Sequence, residues 1–126
     1  MWIVLDSSAL LALLFKEPAG DSVRGFLPMA LISTVNLAEV LTKVAERIGS
    51  ADIGRAMVSD LRLSIEPVSE DHALTAAHLR LSTRAAGLSL GDRLCLALAL
   101  ERGLPVLTAD RAWSRINVGV EIRLIR

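Results

Sequence analysis

Hydrophobic positions along this chain fall into short blocks, bounded by polar or turn-forming residues, that switch between strand-like and helix-like spacing. Trp2–Leu5 is an unbroken apolar run ending at Asp6 and reads as a buried strand. Ser7–Phe15 follows as a helix, stopped before Pro18. A short helix is expected around Asp21–Phe26, then a strand at Ala30–Ser33. Thr34–Ile48 has helical spacing, with Leu37, Val40, Leu41, Val44 and Ile48 as its apolar stripe and Gly49 just past its end. Asp52–Arg62 reads as another helix and Leu63–Val68 as a third strand. Ser69 has the character of an N-cap, with Glu70 and Asp71 in the first turn, for a helix running to about Ala86 and closed by Gly87. Ser89 caps the next helix, which ends at Gly103. Its stretch Leu94–Leu100 is apolar all round and should be buried on most sides. Leu104–Thr108 is a fourth strand and Glu121–Ile125 a short fifth.

Alternating strands and helices imply an α/β architecture, a parallel sheet covered on both faces. No repeat, low-complexity stretch or linker interrupts the pattern, so residues 1–126 are expected to form a single domain. In such sheets ligands bind outside the carboxyl ends of the strands, where strand order reverses. Asp6 directly follows the first strand, and Asp110 closely follows the fourth.

Composition narrows the picture further. Apolar residues make up 52% of the chain, which excludes disorder. The longest apolar runs, Ala9–Phe15 and Leu94–Leu100, fall well short of the roughly twenty residues a spanning helix needs. The opening MWIVLD has no basic leader, and one cysteine, Cys95, cannot form an internal disulfide; a reduced, cytoplasmic protein without a membrane segment is expected. The 14 basic residues balance 14 acidic ones, which argues against binding nucleic acid by bulk charge. All but Lys16 and Lys43 of those basic residues are arginine, the side chain suited to bidentate phosphate contacts. So apolar a small domain is expected to cover part of its surface with a partner, and the helices Thr34–Ile48 and Asp52–Arg62 are the candidate groove.

Four acidic residues carry the candidate chemistry. Asp6 and Asp110 each have an alternative reading as the N-cap of a following helix, a role compatible with offering the second carboxylate oxygen to a ligand. Ser89 and Asp92 have the spacing of a capping box, yet Asp92 and Arg93 crowd the mouth of an otherwise apolar helix, beside a glycine, Gly91, that permits close approach. Glu39 projects away from its helix's apolar stripe, with Thr42, Lys43 and Glu46, where a solvated face is the default; Asn36, one turn earlier, would share a cleft if there is one. Clustered carboxylates raise one another's pKa values, a hard dication relieves them, and an oxygen-only set points to Mg2+ or Mn2+. Thr108 could orient a carboxylate or a water. His72 and His78 lie six apart on one expected helix, the wrong spacing for a shared metal face, and read as surface or cap-adjacent residues. Trp2 and Phe15 read as core, and Trp113 as core or a loop anchor.

Val4-Leu5-Asp6-Ser7-Ser8-Ala9-Leu10-Leu11-Ala12-Leu13-Leu14 resembles the opening of PIN-domain ribonucleases. The likeness continues through Val35–Val40, Gly87–Ala99 and Leu107–Trp113, in order and over essentially the whole chain. It is nearest to the VapC toxins of type II toxin–antitoxin pairs. The resemblance implies a PIN-like three-layer sandwich whose five-stranded parallel sheet has the order 3-2-1-4-5. It implies Asp6, Glu39, Asp92 and Asp110 as a quartet binding Mg2+ or Mn2+, with Ser7 or Ser8 and Thr108 as neighbouring hydroxyls. It further implies endonucleolytic hydrolysis of RNA by metal-activated water, usually by a homodimer inhibited by a cognate VapB antitoxin. Arg93 and Arg111, each beside a quartet aspartate, are candidates for RNA phosphate contacts or for salt bridges steadying the cluster.

Other readings remain open. One is a PIN-fold RNA-processing nuclease without an antitoxin. A phosphatase that phosphorylates its first-strand aspartate is disfavoured because Asp6-Ser7-Ser8 lacks a second aspartate two residues on. A non-catalytic interaction domain, in which the acids are only caps, is the third.

Overall fold

A computed structural model describes residues 1–125. Five short strands, β1 (Ile3–Leu5), β2 (Ala30–Ser33), β3 (Ser64–Glu66), β4 (Val106–Thr108) and β5 (Ile122–Leu124), form one sheet in the order β3-β2-β1-β4-β5. All pairings are parallel, with Val4 opposite Leu31 on one side and Val106 on the other. The helices are α1 (Ser7–Leu14), α2 (Thr34–Ile48), α3 (Ala51–Ser59), α4 (Glu70–His78), α5 (Arg80–Thr83) and α6 (Leu90–Arg102), with 3-10 segments at Gly20–Met29 and Arg111–Arg115. This is the PIN-like α/β sandwich that the sequence resemblance implied.

Why the chain makes three layers follows from side-chain alternation in the strands. Ile3 and Leu5 point to one face and Val4 to the other; Ala30 and Ile32 oppose Leu31, and Leu107 opposes Val106. Both faces are therefore apolar and both need cover. One core joins the sheet to α1, the first 3-10 segment, Val40 of α2 and Val58 of α3. The other joins it to α6, Leu79, Leu88 and the fully buried Trp113. From Leu94 to Ala99 every residue of α6 is buried, because α6 packs on the sheet and also against α2 and α4.

Several elements differ from the sequence expectation. Trp2 lies outside β1 and is 44% exposed rather than core, and Phe15 is half-buried. Ile48, at the end of the expected stripe of α2, is 48% exposed. The expected helix from Ser69 to Ala86 breaks at Leu79 into α4 and α5. At that break the carbonyl of Ala76 accepts a hydrogen bond from Arg93 Nη1 at 2.8 Å. β3 is half its expected length, as an edge strand with Ile65 exposed. His72 is buried, not a surface residue; its Nδ1 accepts from the Ser69 N–H, which makes it cap-adjacent.

The turn after α1 is fixed by one close approach. Gly20 lies so near α1 that an added Cβ would stand 2.2 Å from the Ala12 carbonyl oxygen. Gly20→Ala must separate two backbones and should destabilise by about 1–3 kcal/mol or more in urea unfolding. Gly25→Ala meets nothing within 4 Å and should stay within ~0.5 kcal/mol of wild type.

Candidate active site

Strand order reverses at β1, whose neighbours β2 and β4 are reached in opposite directions, so the carboxyl ends of β1 and β4 flank the switch point. Asp6 follows β1 there, with 3% of its surface exposed. Although it occupies the N-cap position of α1, its side chain makes no capping bond. Its Oδ2 instead accepts hydrogen bonds from Ser8 Oγ at 2.5 Å and Thr108 Oγ1 at 2.8 Å. Burial pushes this carboxyl up from 3.8 to about 6; the two hydroxyls pull against that, and the charge of Asp92 adds to it.

The hydroxyls also tie the two strand ends together. Ser8 Oγ accepts the Ala109 N–H at 2.9 Å, and Thr108 Oγ1 accepts the Asp110 N–H at 3.0 Å. Asp110 itself is exposed and caps the second 3-10 segment, one carboxylate oxygen accepting the Ala112 N–H at 2.9 Å. For Asp110, then, the capping reading is geometrically right, and it leaves the other oxygen available.

Glu39 is half-buried, away from the solvated face that its helical position suggested. Its Oε1 accepts from Ser7 Oγ at 2.5 Å and from Asn36 Nδ2 at 2.9 Å. Asn36, fully buried, also donates to the Gly91 carbonyl at 3.1 Å, which fixes α2 to the start of α6. The Glu39 carboxylate rests directly over Gly91: a Cβ there would lie 2.4 Å from Oε2. Glycine at 91 is what lets Glu39 reach the amino end of α6, where the helix dipole favours an anion. The close approach read from the sequence is made by a carboxylate.

Asp92, at that same end, forms the expected capping box: its Oδ2 accepts the Ser89 N–H at 2.9 Å, and Ser89 Oγ accepts the Asp92 N–H at 3.2 Å. Partial burial raises its carboxyl above 3.8, and the charges of Glu39 and Asp110 raise it further. Beneath the group lies the buried Cys95. Its thiol is pushed well above its ordinary value by burial first, and then by Asp6, Asp92 and Glu39. The acids are thus linked through Asp92, whose charge acts on Asp6 and which feels those of Glu39 and Asp110. The ion pairs of the described residues, such as Arg102–Glu66 at 2.7 Å, lie elsewhere, and none involves the quartet.

Side-chain direction separates the two neighbouring arginines. Arg93 turns to the Ala76 carbonyl, as described above, and makes no ion pair with the cluster among the described residues. Arg111 is exposed and lines a cavity of about 540 Å3 beside Asp110. Nothing in the sequence marks that cavity: its wall at Glu17, Pro18 and Ala19 carries only a helix-stop signal.

Does the donor set fit a divalent cation? In kind it does: oxygen ligands, mutual repulsion and no cationic partner among the described residues are the conditions that a hard dication relieves. In position it is not closed. Among the described residues no three His, Cys, Asp or Glu side chains are arranged to hold one ion. Asp92, Asp110 and Glu39 each have an oxygen committed to a protein donor.

Because the folded Asp6 carboxyl titrates above the 3.8 of the ordinary group, the folded chain holds an extra proton between pH 3.8 and about 6. Stability from this residue is greatest below pH 3.8, falls as pH rises to about 6, and stays lost above it. Asp6→Asn should therefore be more stable than wild type by up to ~3 kcal/mol at pH 7.5, and nearly equal to it at pH 4, in metal-free urea unfolding.

Comparisons with known proteins agree with this architecture. A family model described as PIN domain matches residues 3–119. A search of curated proteins finds no match. Among solved structures, DNA-bound VapBC from Salmonella typhimurium aligns with TM-score 0.75 at 20% identity, covering 98% of each chain. A toxin–antitoxin complex from Klebsiella pneumoniae aligns with TM-score 0.73 at 22% identity, covering 95% of this chain and 99% of that one. VapC20 from Mycobacterium tuberculosis, a sarcin–ricin loop cleaving toxin, gives TM-score 0.76 at 20% identity, covering 94% of this chain and 98% of its own. At such identities the likeness is one of fold, and the family match is what classifies the sequence: the chain belongs to the PIN domain family.

Proposed function

We propose that this chain is a Mg2+- or Mn2+-dependent endoribonuclease and the toxin of a VapBC-type pair, with Asp6, Glu39, Asp92 and Asp110 as its metal-binding and catalytic residues. The observation that carries the reading is a buried carboxylate, Asp6, whose pKa is lifted to about 6 beside three more acids with no cationic partner among the described residues. A fold maintains such a destabilising cluster at its sheet switch point when the cluster has work to do. The cation would supply Lewis-acid activation of water and charge neutralisation for an in-line displacement at phosphorus.

The chain's own residues supply orientation. Ser8 and Thr108 hold the Asp6 carboxylate, and Ser7 and Asn36 hold that of Glu39. Asn36 Oδ1 is buried without a partner, one more hard oxygen at the cluster. Turning Asp92 and Asp110 toward a cation would break only their present bonds to exposed backbone N–H groups, which water can satisfy. Arg111, exposed beside Asp110, is the better candidate for an RNA phosphate, since Arg93 donates to the Ala76 carbonyl of α4.

The groove expected between α2 and α3 exists as a cavity of about 390 Å3, apolar at Leu37, Leu41, Val58 and Ile65 and basic at Arg55 and Arg62. It suits an antitoxin segment of apolar and acidic residues. A homodimer working in the cytoplasm completes the proposal. No helix of the described residues is long and apolar enough to cross a membrane.

Purified protein should cleave RNA in Mg2+ or Mn2+ and stop in excess chelator. Asp6→Asn and Asp92→Asn should each lower the rate by at least ~100-fold while keeping the fold by circular dichroism. Full activity in either variant would reject the assignment, and calorimetry showing no binding of either cation would favour the interaction-domain reading.

A further inference from the structure

The cavity beside Asp110 lies on the sheet's carboxyl edge and is walled by three separate pieces of chain. Glu17, Pro18 and Ala19 line it together with Leu124 and Ile125 and with Ala109 and Arg111, the neighbours of Asp110. At about 540 Å3 it is within the roughly 300–1,000 Å3 of small-molecule sites. Ala12 of α1 forms part of its floor, five residues and so about 7 Å along the helix from Ser7. The cavity therefore adjoins the acidic cluster, with its lining residues Ala109 and Arg111 on either side of Asp110 in sequence.

Its walls are built rather than left over. Lys16 takes the left-handed conformation at φ 55°, costly for a residue with a side chain, and so turns the chain sharply out of α1. The Glu17 N–H then donates to the Ala12 carbonyl at 2.9 Å, the Gly20 N–H to the Glu17 carbonyl at 2.8 Å, and Gly20 packs on the α1 backbone. The Ile125 N–H donates to the Thr108 carbonyl at 2.9 Å. Two opposite charges, Glu17 and Arg111, line this one space and are not paired with each other.

We propose that this cavity holds the nucleobase adjacent to the scissile phosphate, and that Glu17 selects guanine there; the inference rests on the ribonuclease reading above. Single-stranded RNA is read on the pairing edges of splayed-out bases. A carboxylate is acceptor-only, with two oxygens side by side. Guanine is the base whose pairing edge presents two adjacent donors, N1–H and the 2-amino group. Cytosine and adenine set a ring acceptor beside their amino group, which a carboxylate repels, and uracil has one donor between two carbonyls. Pro18, Ala19, Leu124 and Ile125 give the base apolar faces, and Arg111 at the mouth neutralises the phosphate that follows.

Cleavage sites would be mapped on RNA, and short oligonucleotides carrying each base in turn at the flanking positions then compared by kcat/KM. Binding of the same oligonucleotides to the Asp92→Asn variant, by fluorescence anisotropy, reads base preference without chemistry. Guanine at one flanking position should be favoured roughly tenfold in both measurements, and Glu17→Gln, an exposed position that should not disturb folding, should cut that to about twofold. Loss from Glu17→Gln and loss from replacing that guanine should not add, because both remove the same contact. Equal use of all four bases, or a guanine preference that Glu17→Gln leaves intact, overturns the subsite; a cavity serving a protein segment would give that result. Failure of the ribonuclease reading looks different: wild type cleaves no RNA in either metal, whatever Glu17 carries.

Discussion

Everything at the carboxyl edge of this sheet answers to one constraint: a carboxylate, Asp6, is buried among like charges. Taking an ionised carboxyl out of water is costly, and the usual remedy is a neighbouring cation. Here the remedies visible in the described residues are hydroxyls and amides alone, and they do not suffice, since the Asp6 carboxyl still stands near 6. The neighbouring charges of Glu39, Asp92 and Asp110 make the deficit collective rather than local. Under the proposal made above, a small dication would relieve that deficit by charge alone.

The fold supplies the cluster with little machinery. Short strands end at the same level, so residues just beyond β1 and β4 meet across a pair of hydroxyls, Ser8 and Thr108. The missing side chain at Gly91 lets the amino ends of α2 and α6 come together over Glu39. Because α6 is buried from Leu94 to Ala99, its amino end is held in place by the core beneath it. Stability and site geometry are thus the same packing, apart from the charge that the packing leaves unrelieved.

Much of this was legible in the sequence, for reasons that differ by residue. Ala30–Ser33 and Thr34–Ile48 emerged with the boundaries expected, because Ser33 caps α2 and Gly49 terminates it in the left-handed conformation. Asp6 and Asp110 followed from topology, as strand-end residues at a switch point. Glu39 did not follow from periodicity: a helical projection separates core from everything else, and a cleft belongs to everything else. Family likeness alone singled it out. The break at Leu79 was hidden because the Arg93 bond to Ala76 crosses between helices. Trp2 was misjudged because an apolar run does not say where its strand begins. The cavity wall at Glu17–Ala19 was invisible because Pro18 signals only where a helix stops, and nothing local says what the turn faces.

In the proposed site a metal ion and a proton would compete for Asp6, so its titration reports on the central claim. Carbon-13 NMR of the Asp6 side-chain carboxyl should give a midpoint near 6 in metal-free protein. Saturating Mg2+ should move that midpoint below the ordinary 3.8, as the dication replaces the proton. A midpoint already ordinary without metal, or one that Mg2+ leaves where it was, would contradict the assignment of this cluster as a metal site.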